Sequence, residues 1–152
     1  MQGRLDNFRT DAEEGYQAMF ALEAFQRRSP LPQGLLHLVK LRVSQINGCA
    51  FCVDMHAKEG ERDGESSERL HSVATWREAP FFTGAERAAF ELAESATRIA
   101  DDPHGVPDDV WQRAREHFDD QELSALVFAI ATINAWNRIS VANRTVPGSF
   151  TR

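Results

Sequence analysis

The segment DDQELSALVFAIATINAWNRISVANR, residues 119–144, narrows the choice of architecture for this chain further than any other stretch. It is long, heavily apolar and reads as one continuous helix. Its apolar residues fall around much of the helical circumference, so much of that surface has to be covered, centrally or by another subunit. The rest of the chain supplies further helices. TDAEEGYQAMFALEAFQRR sets Tyr16, Met19, Phe20, Leu22 and Phe25 on one broad apolar face, with Thr10 or Asp11 as its cap. LLHLVKLRVSQI places Leu35, Leu38, Val39, Val43 and Ile46 at helical spacing. Asn47 and Gly48 then end it as a turn, glycine for positive φ and Asn47 for a side-chain bond to the backbone. A further helix starts near Cys49 and fades in KEGERDGESS, with Lys58 to Glu68 expected as a loop. Ser67 caps ERLHSVATW, and TGAERAAFELAESATRIA and DDVWQRAREHF follow. The paired aspartates in DDP, PDD and at Asp119/Asp120 are expected as helix-start caps. No segment alternates convincingly, so no sheet is read. The expectation is an all-α fold, residues 1–152 forming a single domain of roughly six or seven helices.

At 152 residues the chain can bury a core without covalent staples. Net charge is -6 and no block of Lys and Arg stands out, so a nucleic-acid partner has no electrostatic footprint. The longest apolar runs, such as ALVFAIA, are too short to span a bilayer, and no membrane partner is expected. The charged N-terminal stretch lacks the apolar core of a secretory signal. The expected location is cytoplasmic, where thiols are kept reduced and paired cysteines serve catalysis or metal binding rather than structure.

Both cysteines lie in NGCAFCVDMH, residues 47–56. A helix starting near Cys49 puts unpaired N–H groups and the positive end of the helix dipole beside the sulfurs, which favours thiolate over thiol. Cys52 lies one turn further along the same face, within reach of a disulfide with Cys49. His56, four residues beyond Cys52, stacks over that face and can accept its proton. Such an arrangement suits attack on a peroxide or disulfide followed by capture of the oxidised sulfur. No βαβ pattern accompanies the CxxC, which disfavours a thioredoxin fold. Zinc remains a rival reading, with Cys49, Cys52, His56 and a distant histidine such as His37 as ligands. So does the plain one, two small buried residues beside an incidental histidine.

LLHLVKLRVSQINGCAFCVDMHAKEG resembles the core signature of the AhpD-like alkylhydroperoxidases, within the carboxymuconolactone decarboxylase superfamily. WREAPFFTGAERAAFELAESATRI and HFDDQELSALVFAIATINAWNRISVA are similar to the downstream helices of that group, so nearly the whole chain takes part. The resemblance implies an AhpD-like helical bundle and a homo-oligomer, often a dimer, trimer or hexamer. It implies reduction of a hydroperoxide through the cysteine pair, with electrons from an external dithiol. It also assigns peroxide attack to Cys52, resolution to Cys49 and the proton relay to His56. The relay glutamate of the family, twelve residues before the first cysteine, falls on His37 here, and a histidine between the cysteines falls on Phe51. A second imidazole tunes the base differently from a carboxylate, which implies a raised Cys52 pKa and weaker peroxidase activity. His37 relays the proton itself, or Glu23 or Glu86 stands in for the missing acid.

Three other functions are open on the sequence: a redox-sensing or scaffolding oligomer with a reversible disulfide, a lactone decarboxylase, and a zinc protein. Decarboxylation needs no dithiol, which counts against the second. No GxGxxG and no haem-type CxxCH occurs, so no bound cofactor is expected. Asn134, Trp136, Asn137 and Arg138 form a polar and aromatic cluster inside an apolar helix, where buried amides need partners and so fix helix packing beside the cysteines. Arg42, Ser44 and Gln45 are expected in turn and interface hydrogen bonds. Trp76, Trp111, Phe81 and Phe82 are expected in the core or an interface, and His71, His104 and His117 in solvent.

Overall fold

Eight α-helices and one 3-10 turn make up residues 2–149, the part that the computed structural model describes, and no strand occurs among them. In order they are α1 (Phe8–Asp11), α2 (Glu13–Arg27), α3 (Gln33–Ile46), α4 (Ala50–Arg62), α5 (Ser67–Ser72), the 3-10 turn Val73–Thr75, α6 (Gly84–Thr97), α7 (Asp108–Arg115) and α8 (Asp120–Asn143). The all-α expectation holds, and the helix beyond the expected six or seven is the single turn α1.

The hub is α3, which packs against α4, α6 and α8. Leu38, Val39 and Val43 on it are completely buried, and even Lys40 is enclosed. Helix α8 packs against α2, α3 and α6, with Leu126, Ala129 and Ile133 turned inward. Its opposite side leaves Val127, Phe128 and Val141 exposed, so the chain's own helices cover only part of its circumference. An 18-residue window of α8 has mean hydropathy 1.3, which by length and composition is enough to cross a membrane. The shortness of the uninterrupted apolar runs therefore does not apply to α8, whose apolar character matches its packing in the core.

Side-chain caps set four of the eight helix starts. Thr83 accepts the Glu86 N–H while the Glu86 carboxylate accepts the Thr83 N–H, and Asp119 and Glu122 repeat this reciprocal cap at α8. Other starts differ from the sequence reading. Residues 8–11 already form a helical turn, so Thr10 and Asp11 lack the extended backbone of a cap, and Ala12 precedes α2 instead. Ser66 rather than Ser67 caps α5. Asp101 and Asp102 start no helix; Asp102 accepts the His104 N–H in a turn. Asp108 and Asp109 stand inside the first turn of α7, behind Pro107.

The stretch from Lys58 to Glu68 is helical as far as Arg62. The reason is packing at Gly60, which is buried. A Cβ there would stand 2.9 Å from Leu70 Cδ2 and 3.7 Å from His37 Cβ, so the absence of a side chain lets α5 and α3 close onto α4. That contact holds a polar segment in helical form.

Candidate active site

Helix α3 ends at Ile46, and the chain turns through Gly48 at φ +66°, a conformation that favours glycine. The Cys49 N–H closes this turn on Ser44 O at 3.0 Å. Cys49 is the N-cap of α4, with extended backbone, and its Sγ accepts the Cys52 N–H at 3.3 Å. A cysteine thus fills a place usually held by Ser, Thr, Asp or Asn. The two sulfurs are 2.6 Å apart, and each cysteine is 1% exposed.

Helix α8 closes the site from the far side. Ser140 Oγ lies 3.8 Å from Cys52 Sγ. Asn137 Nδ2 donates to Ser44 Oγ at 3.0 Å and its Oδ1 accepts Asn47 Nδ2 at 2.8 Å, which sets this amide beside the cysteines. Asn47 Nδ2 also donates to Asn134 Oδ1 at 2.9 Å, and Asn134 donates to Thr97 Oγ1 at 3.1 Å. Asn134 and Asn137 therefore fix helix packing beside the cysteines, as expected. Asn47 differs: its side chain ties the turn to α8 rather than to the backbone.

This setting makes the first thiol proton easy to lose. Cys49 is lowered to about 6, chiefly by the hydrogen bond from the Cys52 thiol and, against the cost of burial, by the Cys52 N–H, Asn137 and Ser140. Cys52 is pushed the other way, first by donating to Cys49, then by burial and the negative charge next to it. Of the two thiols, Cys49 is therefore the one favoured to give up its proton first.

His56 is buried, and burial holds its pKa below the usual imidazole range against the opposing pull of Glu59. Its Nδ1 is 3.3 Å from Glu59 Oε2, yet neither ring nitrogen completes a hydrogen bond. The direct transfer from Cys52 suggested by the spacing is not made in this geometry. Cys52 turns to Cys49 and α8, whereas the His56 ring turns to His37 on α3, with centroids 6.5 Å apart. His37 in turn bonds Asp63 Oδ2 through Nε2 at 2.7 Å.

Of the two carboxylates expected to replace the relay acid, Glu23 lines one pocket with His37 and Glu59, whereas Glu86 is engaged elsewhere. Glu86 binds Arg69 and caps α6. Glu23 pairs with Lys40, accepts Trp136 Nε1 at 3.2 Å and reaches His56 only through its charge. The acids beside the two imidazoles are Glu59 and Asp63, which the sequence reading missed. Glu59 follows His56 by three residues, a helical spacing that was available as a signal. Asp63 is 26 residues from His37 and carried none. The four ligands of the zinc reading also separate: the sulfurs pair with each other, while His37 and His56 group with Glu59. Arg42 binds Glu94, which also accepts Trp76 Nε1, and His71, His104 and His117 are exposed.

Known proteins resemble this chain in sequence and in fold. A sequence profile described as the carboxymuconolactone decarboxylase family matches residues 11–95. The uncharacterised protein YdfG of Bacillus subtilis is 41% identical over 131 residues, which is 86% of this chain and 88% of YdfG. A crystal structure of an Agrobacterium tumefaciens protein of unknown function, named as a candidate antioxidant defence protein AhpD, superposes with TM-score 0.91 at 40% identity, covering 98% of this chain and 100% of that one. An uncharacterised peroxidase-related protein from Ralstonia eutropha, described as an alkylhydroperoxidase AhpD core, gives TM-score 0.81 at 20% identity, over 93% of this chain and 75% of the other, a likeness of fold.

Proposed function

This chain belongs to the carboxymuconolactone decarboxylase family as an AhpD-like member, and we propose that its Cys49–Cys52 pair reduces hydroperoxides with electrons from an external dithiol. The observation that carries the reading is the pair itself: two sulfurs 2.6 Å apart at a helix start, with a first ionisation lowered to about 6.

The proton between the sulfurs passes to Cys49, and the Cys52 thiolate attacks the hydroperoxide. An S–O bond forms, the O–O bond breaks, and the alkoxide leaves and takes a proton as the alcohol. Cys52 is then a sulfenic acid. Cys49 condenses with it, forming the disulfide and releasing water. Two thiols of the external donor return the pair to its reduced form, and the donor becomes a disulfide. His56 is neutral at pH 7 and has both nitrogens without hydrogen-bond partners, which suits a group that takes up and returns protons during the cycle. His37 and the half-exposed Asp63 lead from it towards solvent. Homo-oligomerisation belongs to the same proposal and is supported by Phe20, Phe25 and Phe128, which stand exposed on α2 and α8.

The test is titration of the reduced protein with cumene hydroperoxide while free thiols are counted. Both thiols are expected to disappear as one peroxide is consumed, and Cys52→Ser is expected to be inert. Persistence of both thiols, or peroxide consumption by Cys52→Ser at the native rate, overturns the reading. Enclosure of both sulfurs favours a second reading, a redox switch with little turnover. Steady consumption of peroxide with a dithiol donor decides between them.

A further inference from the structure

We propose that His37, His56 and Glu59 form a binding site for a first-row divalent cation of the zinc type, with Asp63 as the outer carboxylate that orients His37. Three observations converge on it. The Nε2 of His37 is taken by Asp63, which leaves Nδ1 buried and without a partner. Both nitrogens of His56, whose side chain is only 5% exposed, are also unpartnered. A ligand atom from each of His37, His56 and Glu59 lies within 4.8 Å of the other two.

Tetrahedral zinc with nitrogen and oxygen ligands at about 2.0–2.2 Å spaces those ligands about 3.4 Å apart. A contraction of at most about 1.4 Å between any two of these atoms, now within 4.8 Å, therefore brings the three onto one ion. Three protein ligands leave a fourth position free. A pocket of about 90 Å³ whose wall includes His37, Glu59 and Asp63 adjoins these residues. Bonding of His37 to a carboxylate through its second nitrogen is the arrangement that fixes tautomer and ring direction in metal-binding histidines. Two imidazoles and one carboxylate suit zinc, cobalt, iron or nickel, and do not suit magnesium or calcium, which prefer oxygen. Lys40 lines the same pocket and repels a cation, but its ammonium is paired with Glu23. The sulfurs take no part, being hydrogen-bonded to each other as free thiols, with Cys52 Sγ 3.8 Å from Ser140 Oγ on α8. The inference thus stands whether or not the thiols turn over peroxide.

Metal-free, reduced protein is titrated with cobalt(II) and then with zinc(II), following visible absorption and heat. One equivalent is expected to bind without a sulfur-to-cobalt charge-transfer band, and equally in the Cys49→Ser/Cys52→Ser double variant. Glu59→Gln is expected to lose at least about tenfold in affinity and Asp63→Asn about 10–100-fold, with unchanged circular dichroism. Binding that disappears in the double serine variant places the ion on the thiols and overturns the proposal. So does the absence of saturable binding, or unaltered affinity in both carboxylate variants. The readout is stoichiometry rather than peroxide consumption, so this failure and that of the proposed thiol chemistry are separable.

Discussion

Protonation of two sulfurs 2.6 Å apart belongs to the pair rather than to either cysteine. The structure divides the two ionisations widely, Cys49 falling to about 6 and Cys52 rising. Alkylation of the reduced protein by iodoacetamide should therefore climb through about pH 6 and level off below the ordinary thiol range. In Cys52→Ser the thiol that donates to Cys49 is replaced by a weaker-acid hydroxyl, and the midpoint should move upward. A native midpoint near about 8.5, the free-thiol value, counts against the paired arrangement. The CxxC spacing and the histidine four residues on were legible because a helical turn fixes them locally. Partners from α8, Asn137 and Ser140, and the engagement of His37 with Asp63 were not, since they lie far along the chain.

Helix ends show how far local chemistry reaches. The Asp119–Glu122 cap is complete within four residues, so Asp119 could be recognised as a start from the sequence. Asp119→Ala should lower stability by about 1 kcal/mol, read as a shift in urea midpoint with an unchanged slope. An unaltered midpoint would show that packing alone holds the start of α8. The extension of α4 to Arg62 obeys a different rule. Its sequence, KEGER, is polar and contains a glycine, and both properties read as loop. Gly60 is nevertheless buried where α3, α4 and α5 meet, and contact between helices overrides the local preference. Thr10 and Asp11 fail as caps because they stand inside a turn that is already helical.

Enclosing His56 links the stability of the whole chain to pH. Burial lowers its pKa, so it folds neutral and contributes stability that is present above about pH 6.5, the unfolded imidazole value. That contribution is lost as pH falls towards the folded value, with a slope of up to about 1.4 kcal/mol per pH unit. Comparing urea midpoints at pH 7 and pH 5, the native protein should lose more stability than His56→Gln; equal losses would mean that His56 is free to charge in the fold. Such enclosure follows from α3 serving as the hub. Helical class, the order of the elements and the CxxC-histidine spacing follow from the sequence, because 3.6-residue periodicity and capping act over a few residues. Which helix is central and which acid meets His37 depend on helix packing. Burial and electrostatic contact join residues distant in the chain, and no short stretch encodes them.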